Sequence, residues 1–239
     1  MFERGVAIVA LTKWGVSTST KIAKALESAQ ITCTAYAPRQ LCSGNVAPFD
    51  AELGELFGKI FNDYDAVAAV MAVGIVVRCL APLMVSKHTD PAIVVVDDLG
   101  KYVISLLSGH IGGANKLARI IANGIEAVPV ITTATELLGK KCVEEIAEEH
   151  DLSIVNSETL VLVNSAIVNE KRVLIATVGV ACPKIELKNI NLQSMSDADQ
   201  LKESMIHYDA GIVIASSTPS LKGIAKPVVI LTPRIPQLP

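Results

Sequence analysis

The chain has 239 residues, of which 51% are hydrophobic and 19% charged, enough apolar material for one large core or two modest ones and no compositional sign of disorder. Its formal net charge of −3, with no basic block, argues against a nucleic-acid binder. Five cysteines (Cys33, Cys42, Cys79, Cys142, Cys182) without a Cys-x-x-Cys pair argue against a zinc site or a disulfide scaffold and suit a reducing cytoplasm, four of them reading as buried, inert thiols.

In chain order, GVAIVAL near the amino terminus reads as a strand and is too short, beside an acidic residue, to be a signal peptide. The loop KWGVSTST offers hydroxyls to cap the amphipathic helix that follows. ITCTAYAP is a second strand, and Phe49 to Phe61 has helical spacing, with Leu53, Leu56, Phe57 and Ile60 on one face. The apolar run from Ala66 to Val85 is as long as a membrane span. Gly74, Arg78 and Pro82 within it favour a buried strand (AVAAVM), a glycine turn and a short helix from about Gly74 to Ala81, so no membrane partner is expected. AIVVV and YVISLL flank DDLGK as a hairpin, with Asp97 and Asp98 explained by turn formation. A helix over Lys116 to Asn123 and a strand VPVITT complete an α/β alternation that predicts a doubly wound, mainly parallel sheet.

From Glu136 the texture changes. ELLGKKCVEEIAEEHDL reads as one charged amphipathic helix, followed by strand candidates SIVN, VLIATVG, DAGIVIASS and PVVILTP around a polar stretch, NINLQSMSDADQLKES. This predicts an amino-terminal α/β domain over 1–137 and a smaller α/β domain over 138–239, ending in a proline-rich tail.

Four turns are rich in small and polar residues: TKWGVSTS, VGIVVR, SGHIGGAN and TTAT. In a doubly wound sheet, ligands bind beyond the carboxyl ends of the strands, so these turns are expected to line one crevice. In SGHIGGAN, the glycines permit close backbone approach, and amides at the start of the next helix favour an anion. The spacing is neither a Walker loop nor Gly-x-Gly-x-x-Gly, so a nucleotide is not favoured and a carboxylate-bearing ligand fits equally well. Ser108, Gly109, Gly112, Gly113 and Asn115 are the candidate binding residues of this turn, and His110 is its one titratable side chain, a proton-transfer candidate or a turn-capping histidine. Gly74, Arg78 and Thr133 are further binding candidates, Arg78 as a fork for a carboxylate or, more readily, an arginine that reaches out of an apolar helix to water or pairs with an internal acid. Thr132 and Thr135 join Thr133 as ligand contacts or strand-end residues, Gly15 reads as a loop glycine, and His88, His150 and His207 read as surface residues.

The ordered segments GIVVR, APL, K-x-T-DPA-x-VVVD, G-x-x-VISLLSGHIGGAN and PVITTAT, from Gly74 to Thr135, resemble the cobalt-precorrin-5A hydrolase family of anaerobic cobalamin biosynthesis. The resemblance implies a cytoplasmic hydrolase that opens the ring A lactone of a cobalt corrinoid and releases acetaldehyde, giving cobalt-precorrin-5B. It implies a substrate fringed with carboxylate arms, cobalt that belongs to the substrate, and no metal or cofactor held by the protein. In that reaction the amides of Gly112 and Gly113 would face the oxyanion and His110 would shuttle the proton. Family members commonly carry a further carboxyl-terminal module, which this sequence does not include. The resemblance therefore leaves room for a separate module protein or a second copy of the chain as partner. A non-catalytic corrinoid carrier is the competing expectation, and a nucleotide-binding regulator a weaker third.

Overall fold

The computed structural model describes residues 2–86, 89–180, 190–195 and 197–234; His88, Cys182 and the proline-rich end beyond Arg234 lie outside them. The chain divides into two compact units, Met1–Thr132 and Thr133–Pro239.

In the first unit, the chain runs through β1 (Val6–Ala10), α1 (Lys13–Ser28), β2 (Cys33–Pro38), β3 (Val46–Phe49), α2 (Leu53–Asp63), β4 (Ala66–Val70) and α3 (Val73–Leu80). It continues through β5 (Ala92–Val96), β6 (Tyr102–Leu107), α4 (Ala114–Ile125) and β7 (Val128–Val130). The seven strands lie in the order β3-β2-β1-β4-β5-β6-β7. Strands β1 to β5 are mutually parallel, β6 runs antiparallel to β5, and β7 is parallel to β6. Every residue of VAIVA, AVAAV and AIVVV is buried, because helices cover both faces and alternation has no solvent side to mark. Val6, Ile8 and Ala10 face Ile22, Leu26, Leu117 and Ile121 of α1 and α4, while Ala7 and Val9 face Phe57, Ile60, Val76 and Leu80 of α2 and α3. The apolar run Ala66–Val85 thus supplies a central strand and a covering helix, and no helix among the described residues is long and apolar enough to cross a membrane.

The second unit holds α5 (Ala134–Leu137), α6 (Val143–Glu149), β8 (Leu152–Ile154), α7 (Leu160–Val168), β9 (Val173–Val178), β10 (Ile190–Met195), α8 (Ala198–Met205), β11 (Ala210–Ala215) and β12 (Val228–Pro233). Its sheet order is β10-β9-β11-β12-β8, parallel except for β8. Both units are therefore α/β, as the alternation predicts.

Four local readings change. Residues 46–49 pair with β2 as an edge strand, so the helix expected from Phe49 begins only at Leu53. The single helix expected from Glu136 breaks into α5 and α6. Gly139 takes the left-handed region at φ +61, and Cys142 restarts the helix, its N–H donating to the Glu145 carboxylate at 2.8 Å. LVLVNSAIV, unassigned by pattern, is α7; an apolar run this even carries no period to separate helix from strand. The polar stretch is ordered into β10 and α8.

Helices α1 and α4 touch where Gly124 faces Ala25, so closely that a Cβ on Gly124 would stand 2.3 Å from the Ala25 Cβ. Gly124→Ala should gain about 1 kcal/mol in helix propensity and lose about 1–3 kcal/mol to overpacking, for a net loss. A lower urea midpoint for Gly124→Ala, partly restored by adding Ala25→Gly, is the expected result.

Candidate functional site

The hairpin β5–β6 decides how the four polar turns are distributed. Because β6 runs back along β5, with Ile93 opposite Leu107, SGHIGGAN emerges at the amino edge of β1, β4 and β5. TTAT follows β7, which runs with β6, so the first unit ends at that same edge, at Thr132; Thr133 is the first residue of the second unit. TKWGVSTS and VGIVVR follow β1 and β4 at the opposite, carboxyl edge. The single crevice expected from the sequence is thus two separate places. Gly74 and Arg78 stand at one, and Ser108, Gly109, His110, Gly112, Gly113 and Asn115 at the other. One hairpin reverses the chain direction, which counting strands does not reveal.

At the amino edge, SGHIGGAN closes on itself. The Ala114 N–H donates to the Ser108 carbonyl at 3.1 Å, Asn115 N–H to the Gly109 carbonyl at 3.0 Å, and Gly113 N–H to the His110 carbonyl at 3.1 Å. The buried Asn115 side chain accepts from Ser105 Oγ at 2.8 Å. Ser108, at φ +57, donates its hydroxyl to the Asp90 carbonyl at 3.0 Å. The Asp90 carboxylate in turn accepts from the N–H groups of Val85 and Ser86, each at 3.1 Å. Gly113 holds φ +85, and a Cβ on Gly112 would come within 2.5 Å of the Ser108 Cβ. The composition of the motif is therefore explained largely by a tight, internally bonded loop. Of the two amides expected to face an oxyanion, Gly113's is already donated; Gly112's has no protein acceptor among the described residues. His110 stands half-buried in this loop.

At the carboxyl edge, the chain leaves β1 toward β2 on one side and returns as β4 on the other, a topological switch point. Two helices start there. Thr12 caps α1, its Oγ1 accepting from Gly15 N–H at 2.9 Å and its carbonyl from Val16 N–H at 2.9 Å. The N–H groups of Lys13 and Trp14 in α1, and of Val73 and Gly74 in α3, have no protein acceptor among the described residues. Arg78 is exposed and donates one N–H to the Gly74 carbonyl at 3.2 Å, folding over its own helix start. Trp14, Val73, Val77 and Leu99 are exposed around these strand ends.

Asp97 and Asp98, equivalent as turn formers in the sequence, separate here. The Asp97 carboxylate accepts from Leu99 N–H at 3.0 Å, Lys101 N–H at 2.8 Å and Tyr102 N–H at 2.7 Å, which makes the turn. The Asp98 side chain takes no part in it, and its buried Oδ1 has no hydrogen-bond partner. Gly15, read as a plain loop glycine, is required: a Cβ there would stand 2.8 Å from Asp98 Oδ1. Burial pushes the thiols of Cys33, Cys79 and Cys142 up, so they stay protonated at neutral pH and are not nucleophiles.

The first unit is thus a doubly wound α/β domain with two helix starts at its carboxyl edge and a glycine-closed turn on the far side. Residues 55–136 match the family described as Cobalamin synthesis G N-terminal. Over 169 residues the chain is 37% identical to the cobalt-precorrin-5A hydrolase of Salmonella typhimurium, spanning 70% of this chain and 47% of that protein. It is 34% identical over 179 residues to the cobalt-precorrin-5A hydrolase of Priestia megaterium, 72% of this chain and 47% of the relative. A solved structure described as a cobalamin biosynthesis protein G homologue, from Sulfolobus solfataricus, superposes with a TM-score of 0.56 at 28% identity, over 97% of this chain and 61% of that one. The chain is therefore similar to the cobalt-precorrin-5A hydrolases, and its residues 55–136 match the amino-terminal module of the cobalamin-synthesis G family. It spans about half the length of the curated relatives it matches.

The self-bonded turn has a measurable consequence. In Asp90→Ala, the N–H groups of Val85 and Ser86 lose the carboxylate that accepts from both, and the loss should cost about 2 kcal/mol. A fall in the urea midpoint at unchanged secondary structure by circular dichroism is the expected result.

Proposed function

We propose that this chain acts in cobalamin synthesis as a cobalt-precorrin-5A hydrolase, opening the ring A lactone with water and releasing acetaldehyde to give cobalt-precorrin-5B. The observation that carries the reading is the 37% identity to the Salmonella typhimurium hydrolase, over a stretch covering 70% of this chain. The first unit suits such a ligand chemically. Amides at two helix starts and the exposed Arg78 attract carboxylate arms, and exposed Trp14 and Val77 offer apolar surface to a macrocycle. Cobalt arrives with the substrate, and the reaction so written calls for no metal or cofactor from the protein. A biosynthetic step on a diffusible intermediate suits the cytoplasm.

The residues expected to bind substrate form two groups at the two ends of five-residue strands, about 17 Å apart along the sheet. A macrocycle seated beyond one set of strand ends does not touch the other. Gly74 and Arg78 serve one placement; His110 and the turn around it serve the other. Thr133, in the second unit, is assigned to neither.

The competing reading is a corrinoid carrier, and the observation favouring it is that the unspent helix-start amides and Arg78 attract carboxylate arms without calling for a base. Anaerobic incubation of the purified chain with cobalt-precorrin-5A separates the two. One acetaldehyde per corrinoid consumed is expected; saturable binding without acetaldehyde supports the carrier instead. Arg78→Ala should weaken corrinoid binding about tenfold, the equivalent of one charge-assisted hydrogen bond. Unimpaired turnover in His110→Ala would remove the histidine from the mechanism.

A further inference from the structure

We propose that the crevice beyond the carboxyl ends of β1, β4 and β5 seats the macrocycle, and that Asp98 is the catalytic base that takes a proton from the attacking water. This rests on the hydrolase reading above and adds to it a place and a residue.

Asp98 is an anomaly within its own unit. Its Oδ1 is fully buried with no donor, one of two such side-chain atoms among the described residues, and the other is a neutral hydroxyl, Thr177 Oγ1. No described residue donates to its second oxygen either. Its neighbour Asp97 shows what a structural carboxylate does in this turn: it gathers three N–H groups. Leaving an enclosed carboxylate oxygen without a donor is costly for the fold, and because Asp98 is only half-buried its other oxygen lies outside that enclosure, where a partner from outside the chain can reach it. Two features hold it in place. Thr18 Oγ1 donates to the Asp98 carbonyl at 2.7 Å and fixes the backbone, and the bare Cα of Gly15 makes room for Oδ1 beneath the start of α1.

The surroundings supply what lactone opening needs besides a base. Water adds its oxygen to the lactone carbonyl carbon, and its proton passes to the Asp98 carboxylate. The negative charge that builds on the carbonyl oxygen faces the unspent N–H groups of Trp14 or Gly74 at the two helix starts. The tetrahedral centre collapses with cleavage of the ring C–O bond, and the proton held by Asp98 passes to the departing alkoxide. The net change is lactone plus water to hydroxy acid, with Asp98 returned to its carboxylate form. The SGHIGGAN turn, whose amides at Gly113, Ala114 and Asn115 are spent on its own carbonyls, offers fewer donors for that charge.

Two measurements test this. For placement, corrinoid binding is compared in Trp14→Glu and Ile111→Glu, each putting a negative charge on an exposed apolar position at one edge. Binding weakened tenfold or more by Trp14→Glu alone is expected; the reverse pattern overturns the placement. This arm reads binding, so it holds even if the chain proves to release no acetaldehyde, an outcome that would sink the hydrolase reading and the base together but leave the seat standing. For the base, Asp98→Asn should keep corrinoid affinity within a few-fold and lower turnover about 100-fold or more. Its urea midpoint should equal or exceed that of the unaltered chain, because the charge on a carboxylate with one enclosed, donorless oxygen is removed; a purely structural aspartate would give a lower one. Full turnover in Asp98→Asn, with the unaltered chain active, overturns the role.

Discussion

Three backbone N–H groups, from Leu99, Lys101 and Tyr102, converge on the carboxylate of Asp97, and the reversal they fix governs where chemistry can occur in the first unit. Without it, a sixth strand would arrive by a crossover and run parallel with the other five. Its carboxyl end would then deliver SGHIGGAN beside TKWGVSTS and VGIVVR. With it, β6 and β7 run backwards, and the glycine turn is carried to the far edge of the sheet. The helix that follows still packs on the same face as α1, through Leu117 and Ile121, so the core is blind to the reversal. The turns are not, because the reversal divides them between two edges.

The same turn separates two adjacent, chemically identical side chains. Asp97 is satisfied by geometry that any turn of this kind provides. Asp98 is carried past those amides to the strand ends of β1 and β4, where Gly15 leaves space for it and no described residue donates to it. Stability alone would select against such a group, since the compensating interaction is missing from the folded chain. A fold that tolerates it does so on the strength of its doubly covered central strands, where VAIVA, AVAAV and AIVVV are buried throughout.

These relations explain what could be read from the residues. The doubly wound class was legible because burial on both faces leaves continuous apolar strands between helices of clear period, as at Leu56, Phe57 and Ile60. The hairpin direction was legible too, from DDLGK. Its consequence for the site needed the strand order, since β4 and β5 are neighbours only in space. Helix α7 and the break at Gly139 were hidden for opposite reasons, one by an apolar run without a period and the other by charged residues whose period continued across a left-handed glycine. Of the site, the family resemblance pointed to the matching module, while the internal bonding of SGHIGGAN was not visible in its composition. Gly112 and Gly113 are there as much for Ser108 and a positive φ as for any ligand.

Glycine and carboxylate therefore mean different things at the two edges, and the difference lies in their hydrogen-bond accounts. At the amino edge, Ser108 and Asp90 link Val85 and Ser86 to the start of α4 through a run of donors and acceptors bonded within the protein, with the Gly112 N–H left over. Such a network rigidifies, and a ligand would have to break it to enter. At the carboxyl edge, four N–H groups and one carboxylate remain unmatched around exposed apolar side chains. Unmatched groups of both kinds, side by side, favour a ligand that brings an acceptor and a donor together. A lactone carbonyl with its attacking water is one such pair. The folding energy forgone at that edge is then recovered only when the substrate arrives, which is the condition for binding energy to be directed at the reacting atoms.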